Sequence, residues 1–565
     1  MKRLCMTLLV LASFAIYSSA QSFQYGNLLY SVISTEPPCV RVDGHTDGTN
    51  AQGEIVIPET VNYDGNNYTV IEIGKESFYG CSKLTGNLVI PDPVTKIGEW
   101  AFGGCRNLDG VLVLSSSLKV ISCGAFSGCE GLCGTLDIPE SVDSIDFQAF
   151  YHCKSFTGDL VIPNSVKSLG FSYDSLGQWV YDGTFEQCTG FNGRLILPES
   201  LQIIPEHCFK RCNGFHGELT LPQSLTSICQ SAFEYCSGFT GDLVIPESVN
   251  IIGNAAFCDC KGFDGTLRLP SEMAEIGASA FASCENLEGR LVLPIGPTNI
   301  FEYSFCNCGF SGDIVIPNTV QRIDNNAFGN CHGITGVVLD KALEVLWFDA
   351  FQNTGILSMT VQTEIPPMVF AGNWVWLYGN DIPVTVPCGT LETYRYADGW
   401  NSIPILLEGN THLFSVTMEF EYAGNVYILK EPSCEDPTVE VEAVPNEGYF
   451  FLYWEANGEQ VSSENSYSFE LVEDTELVAH FSGTGVNERE VSFSVFPNPT
   501  NGQVTITGEN LRKAEVVNML GQQVAIAKGK GETLQVDISD LPVGIYFVNV
   551  TDEEGRKCVR KVVKE

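Results

Sequence analysis

Positive charge is scarce in this chain. Against 69 Asp and Glu stand only 30 Lys and Arg in 565 residues, a formal net charge of -39. A surface of that sign repels phosphate backbones and anionic headgroups, so no nucleic-acid partner is expected. Histidine is scarce as well: the seven, His45, His152, His207, His216, His332, His412 and His480, fall at unrelated places. H-E-x-x-H, G-x-S-x-G and the phosphate-cradling P-loop are all missing. With no convergent nucleophile, base or metal set, the reading is a protein that is not an enzyme and needs no cofactor. Asp43 and Asp47 in VDGHTDGTN lack the full spacing of a calcium loop and read as a solvated acidic turn. Beyond the N-terminus, no run of about 18 apolar residues offers a membrane-spanning helix.

What is present begins with MKRLCMTLLVLASFAIYSSAQ: two basic residues, an apolar run from Leu4 to Tyr17, then Ser18-Ser19-Ala20. This pattern predicts an export signal over residues 1–20, cleaved after small residues. Cys5 lies early in the run rather than just after it, so it is not placed for lipoprotein acylation.

The rest is organised by repetition. A motif Phe recurs at 78, 102, 126, 150, 185, 209, 233, 257, 281, 305, 328 and 351, with steps of 24 apart from one of 35 and two of 23. Three residues after each Phe but the last stands a Cys, from Cys81 to Cys331; Thr354 takes the place in the final unit. Upstream of each Phe lies a short alternating run such as L88-V-I-P, L160-V-I-P or L243-V-I-P. Alternation of period 2 predicts a strand with Leu and Ile inward and the residue between them outward, ended by a Pro that cannot donate to the next rung. A fixed period in this range marks a solenoid, in which stacked coils bury one another's apolar faces and place equivalent residues in columns. Phe then fills the interior, and Cys, small and readily buried, a tight corner.

The unit L-x-I-P-x-S-V-x-x-I-x-x-x-A-F-x-x-C resembles the BspA-like leucine-rich repeats of bacterial surface proteins. The expected architecture is a leucine-rich-repeat solenoid of about 12 coils of 24 residues, one β-strand per coil, with a continuous sheet, followed by two small all-β domains. The boundaries read as a signal peptide (1–20), an N-terminal cap (21–52), the solenoid with its closing unit (53–408), a small all-β module (409–482), a linker (483–491) and a C-terminal domain (492–565). VTVPCGTLETYRYADGW, Val384 to Trp400, is similar to the segment that closes such arrays, with Cys388 where a basic residue is usual. Gly448, Tyr449, Phe451 and Trp454 match the G-Y-x-F-x-x-W signature of a small bacterial repeat module often found after them. VFPNPTNGQVTI, VVNMLGQQV, DISDLPVGIYFVNV and RKVVKE resemble, in order, the type A C-terminal sorting domain of the type IX secretion system. That resemblance implies passage through the type IX machinery, loss of the sorting domain, and a secreted or outer-membrane cell-surface location, with a glycolipid anchor as one outcome. Residues 484–565 carry 10 basic and 11 acidic residues, net -1, which leaves -38 on the remainder.

Twenty-two Cys in an exported chain would ordinarily suggest a disulfide framework. In-register side chains of a column point the same way rather than toward each other, so the column Cys are expected to be free buried thiols. Cys258-x-Cys260 and Cys306-x-Cys308 are too closely spaced for a usual zinc loop, and one member of each belongs to the column.

Binding surfaces are the remaining candidates. The out-facing strand column comprises Val89, Val113, Asp137, Val161, Ile196, Thr220, Val244, Arg268, Val292, Val315 and Val338. β-branched residues suit a pleated surface with or without a ligand, but an extended apolar stripe is also what a partner-binding face presents. The long step places eleven extra residues between Leu169 and Phe185, with Phe171, Tyr173, Trp179 and Tyr181. An aromatic loop of this kind either packs back on its neighbour or anchors a protein or sugar. Trp374, Trp376 and Tyr378 read as covering the last coil. The functional expectation is an exported cell-surface adhesin or recognition protein binding a host or bacterial protein through the repeats. The alternative is a glycan-capturing surface protein that acts with separate enzymes.

Overall fold

The computed structural model describes residues 21–170, 183–347, 349–370, 382–420, 422–446, 448–483, 493–496, 500, 502–517, 523–539, 541, 544–552 and 557–564. These fall into two compact units, Met1–Thr411 with Ser433–Glu435, and His412–Pro432 with Asp436–Glu565.

The first unit is the solenoid. Its L-x-I-P runs form two-residue strands because Leu88, with no exposed surface, and Ile90, with 2%, point inward while Val89 points out. The S-V-x-x-I arm supplies a second strand in each coil, and these make three successive parallel ladders on another side: Lys96–Ile97 to Ser168–Leu169, Ile203–Ile204 to Glu275–Ile276, and Asn299–Ile300 to Met368–Phe370. The first ladder continues from cap strands Ser22–Tyr25, Leu28–Thr35, Pro38–His45 and Asn66–Ile73, which cover the edge of the first coil.

The L-x-I-P sheet departs from the expected continuity. Leu88–Val89 pairs with Leu112–Val113, Leu160–Val161 with Leu195–Ile196, and Leu243–Val244 with Leu267–Arg268. Only from Ser311–Ile316 onward does pairing run unbroken, through Gly333–Leu339, Ser358–Val361 and Pro383–Pro387 to Ile405–Gly409. The coils of Leu136, Leu219 and Leu291, each the third in turn, carry no strand at this position. Those leucines are still buried, at 2%, 4% and 2% exposure. Side-chain packing and inter-coil backbone bonds elsewhere in the coil, such as the Phe126 N–H to the Ala149 carbonyl and the Phe209 N–H to that of Ala232, hold these coils in register where the ladder lapses.

Inside, the twelve column Phe rings stack from Phe78 to Phe351, with successive centroids 5.1 to 5.7 Å apart. A shorter second stack runs through Phe156, Phe191, Phe215, Phe239 and Phe263 at 5.4 to 6.0 Å. The residue before each column Cys turns the chain with positive φ. Early coils use Gly80, Gly104 and Gly128, whereas later ones force His152, Tyr235 and Asp259 into the same region, at about 1–2 kcal/mol each.

The solenoid closes on Leu391–Tyr396 and Trp400–Ser402, where fully buried Tyr394 and Trp400 meet edge to face at 5.0 Å. Trp400 Nε1 donates to the Pro367 carbonyl at 2.7 Å. Trp374, Trp376 and Tyr378 lie outside the described residues. Cys388, for which the sequence suggested no role, is disulfide-bonded to Cys434, with Cα atoms 5.4 Å apart.

The second unit holds two β clusters. One centres on buried Trp454, Leu477 and Phe481. The other is built on the long strands Gln503–Val517 and Gln523–Asp537 with Gly544–Asp552 and Lys557–Lys564, around Val504, Ile506, Val516 and Val548. Among the described residues no helix is long and apolar enough to cross a membrane.

Candidate binding surface

The strand face is built by a simple constraint: in an L-x-I-P run whose flanking residues are locked into the core, the middle side chain has nowhere to point but out. Val89, Val113, Val161, Ile196 and Val244 are between 38% and 50% exposed, and Val292 reaches 70%. Asp137, Thr220 and Arg268 are exposed in the same column, whereas Val315 and Val338 are only half-exposed, in the stretch where the sheet is continuous.

Two depressions open on this face. One, of about 490 Å³, is lined by Glu218, Leu219, Thr220, Gln223, Asp242 and Val244. The other, of about 220 Å³, is lined by Leu112, Val113, Ser116, Asp137 and Ile138. Both lie beside a coil at which the strand ladder lapses, and where the column residue is Asp or Thr rather than an aliphatic. Lost pairing and a short polar side chain together leave the space.

Arg268, the one cation in the out-facing strand column, sits 3.5 Å from the Asp242 carboxylate of the preceding coil. Arg194 similarly meets Asp159 at 3.3 Å. The carboxylates are held by hydrogen bonds from the next coil. The backbone N–H of Thr266 donates to Asp242, that of Arg194 to Asp159, and that of Ser116 to Asp92, and these bonds hold each carboxyl below the usual carboxylate range. These three carboxylates therefore keep their charge into mildly acid conditions.

The aromatic insertion with Phe171, Tyr173, Trp179 and Tyr181 lies outside the described residues. Its flanks are ordered into the array: Phe150 stacks on Phe185 at 5.3 Å, and Leu160 pairs with Leu195 across it. At its downstream edge the Gly183 N–H donates to the buried Glu186 carboxylate at 3.0 Å. The extra residues thus leave the Phe stack and the L-x-I-P pairing in register, while the second ladder ends at Ser168–Leu169 and restarts at Ile203–Ile204.

The Cys column is a structural device. Each thiol from Cys105 to Cys331 donates to the carbonyl of the Phe one coil upstream at 2.9 to 3.1 Å, while Cys81 bonds Gly48. These thiols are free, as the column geometry predicted. Burial pushes them upward, Cys129 and Cys331 to about 12, so they are poor nucleophiles and poor metal ligands. The donor bond to Phe is what the sequence reading missed. Its signal was the fixed Phe-x-x-Cys spacing, which puts a small donor under the same carbonyl in every coil. Among the described residues no three His, Cys, Asp or Glu converge as metal ligands. Asp43 is engaged by Arg41 at 2.7 Å and by Ser31.

Comparison with known proteins accords with this architecture. The family described as BspA type leucine rich repeat region matches residues 67–173, 178–309 and 265–373, in six copies. A divergent InlB B-repeat domain matches residues 414–485, and a secretion system C-terminal sorting domain matches 494–565, which marks the chain for secretion. No curated protein matches. Among solved structures, a leucine-rich repeat protein from Bacteroides ovatus is 24% identical over 68% of this chain and 99% of its own, with a TM-score of 0.51. A leucine rich cell surface protein from Faecalibacterium prausnitzii is 21% identical over 61% of this chain and 95% of its own, at 0.37. More than half of the chain lies within the repeat match, and the chain belongs to the BspA type leucine-rich repeat proteins.

Proposed function

We propose that this protein is a non-enzymatic cell-surface adhesin or recognition protein that binds an extracellular protein of the host or of a neighbouring bacterium through the exposed strand face. The observation that carries the reading is the aliphatic column, uncovered by any element of its own coil and interrupted by depressions beside Asp137 and Thr220. Water-exposed apolar surface aligned over many coils gains from being covered, at about 25 cal/mol per Å². Arg268 lies at its centre, its head paired with Asp242 and its stem adding apolar surface to the stripe.

Residues 1–20 are removed on export, the type IX machinery carries the chain across the outer membrane, and the sorting domain, 492–565, is cut off at the 483–491 linker, leaving the rest at the surface, held by a glycolipid or released. A sorting-domain match at the C-terminus supports this course. Mass spectrometry of the mature surface protein checks it: loss of both ends is expected, and an intact Glu565 terminus throughout contradicts the processing.

A second reading gives the aromatic insertion, Phe171 to Tyr181, a glycan-capturing role beside separate enzymes. Four aromatics in an insertion that leaves the stacking of Phe150 on Phe185 intact favour it. Probing a glycan and protein array with the full chain decides: protein spots that lose signal on Val244→Asp with Val292→Asp support the strand face, and glycan spots that lose signal on Trp179→Ala support the insertion.

A further inference from the structure

We propose that the strand face accepts a basic, extended polypeptide segment, its apolar residues lying along the valine column and its lysines or arginines entering the two acidic depressions. This rests on the strand face being the binding surface and adds the chemistry of the partner.

The rim of the face is acidic. One residue past the strand proline, a row runs parallel to the column, in which Asp92, Glu140, Glu199 and Glu247 are exposed, and from Asp92 to Asn318 it contains no Lys or Arg. The row opens on the same face, since its members Gln223 and Ser116 line the two depressions with Thr220 and Asp137. Glu247 is oriented by the backbone N–H and hydroxyl of Ser271, at 3.0 and 3.1 Å.

Of the cations in or beside the column before Asn318, two are already paired with carboxylates. Arg194 and Arg268 pair with Asp159 and Asp242, and Arg290 donates to the Asp313 carbonyl at 3.3 Å. Carboxylates outnumber the cations that remain: Glu218 in the larger depression, Asp137 in the smaller and the rim stand against Arg290 and, beyond Asn318, Lys341. An acidic segment laid here is repelled, and a wholly apolar one strips water from carboxylates without replacing it. Alternating apolar and basic residues satisfy both the column and its flanks.

The spacing selects an extended segment. The depressions lie four coil steps apart, on the order of 20 Å at ~4.8 Å per coil, the length of about six residues of extended chain. Oriented carboxylates in a chain of net charge -39 also speed the encounter with a cationic partner.

The test measures fluorescence anisotropy of a labelled twelve-residue peptide of alternating leucine and lysine against the full chain, with the leucine–glutamate peptide as counterpart. The lysine peptide should bind and the glutamate peptide should not. Neutralising the face with Asp137→Asn, Glu218→Gln and Glu247→Gln should weaken binding at least tenfold. The same change in net charge on the opposite ladders, Asp143→Asn, Glu275→Gln and Glu344→Gln, should alter it less than twofold. Equal weakening by both triple variants, or equal binding of both peptides, overturns the proposal. If the lysine peptide fails while array ligands are still lost on Val244→Asp with Val292→Asp, the surface stands and the basic partner falls.

Discussion

The Sγ of Cys236 lies 2.9 Å from the carbonyl oxygen of Phe209, one coil upstream, and both residues are fully buried. The same bond, repeated from Cys105 to Cys331, makes the thiol column a ladder of donors running beside the Phe stack. The Phe209 carbonyl already accepts the Cys212 N–H at 3.0 Å, so the thiol is its second donor beside the aromatic core.

Cys236→Ala removes one of the two bonds to the Phe209 carbonyl and leaves the one from the Cys212 N–H, so it should destabilise the solenoid by about 0.5–1.5 kcal/mol. Cys236→Ser keeps a donor of similar size and should cost less. Chemical unfolding of the two variants measures the difference. Equal losses mean that the column Cys serves packing alone.

The thiols also give the fold a pH dependence. Burial raises them in the folded state, Cys129 and Cys331 to about 12, above the ordinary thiol value of about 8.5. Their contribution is therefore fully present below pH ~8.5 and is lost as pH rises from there toward 12. Stability should fall steeply across that alkaline window, and less steeply when several column Cys are Ser. At pH 8 an alkylating reagent should spare the column and modify it only after denaturation. Rapid native labelling of Cys129 or Cys236 contradicts this.

Cys388 and Cys434 close a sequence separation of 46 residues. On the chain-entropy account such a closure contributes about 4 kcal/mol. Peptide mapping without reduction should recover the two in one cross-linked fragment, and Cys388→Ser should lower the melting temperature of the solenoid's closing end. Alkylation of both without prior reduction removes the bond from the account.

The coil period, the inward Leu and Ile, the Phe stack and the buried free thiols were legible because each is fixed by side-chain periodicity alone. The lapses of the sheet at Leu136, Leu219 and Leu291 were not, since those coils carry the same L-x-[IL]-P text as their neighbours. Whether a two-residue strand is paired depends on small displacements between coils. The thiol-to-Phe bond was half legible: the spacing is in the sequence, but the direction of the donor depends on the stagger of adjacent coils. The partner of Cys388 lies 46 residues away with no pattern to announce it. Arg268 read as a lone cation, because its counter-ion Asp242 is adjacent only across coils.

The most direct test of the account is binding of an array-identified protein ligand by the parent and by the Val244→Asp, Val292→Asp variant, with melting curves recorded for both. Both valines are exposed, so the fold should survive, whereas Leu243→Asp, at a fully buried site, should unfold the array. The account predicts that the double variant melts with the parent and loses binding at least a hundredfold. Equal binding with matching melting curves would contradict it and remove the strand face as the site of recognition.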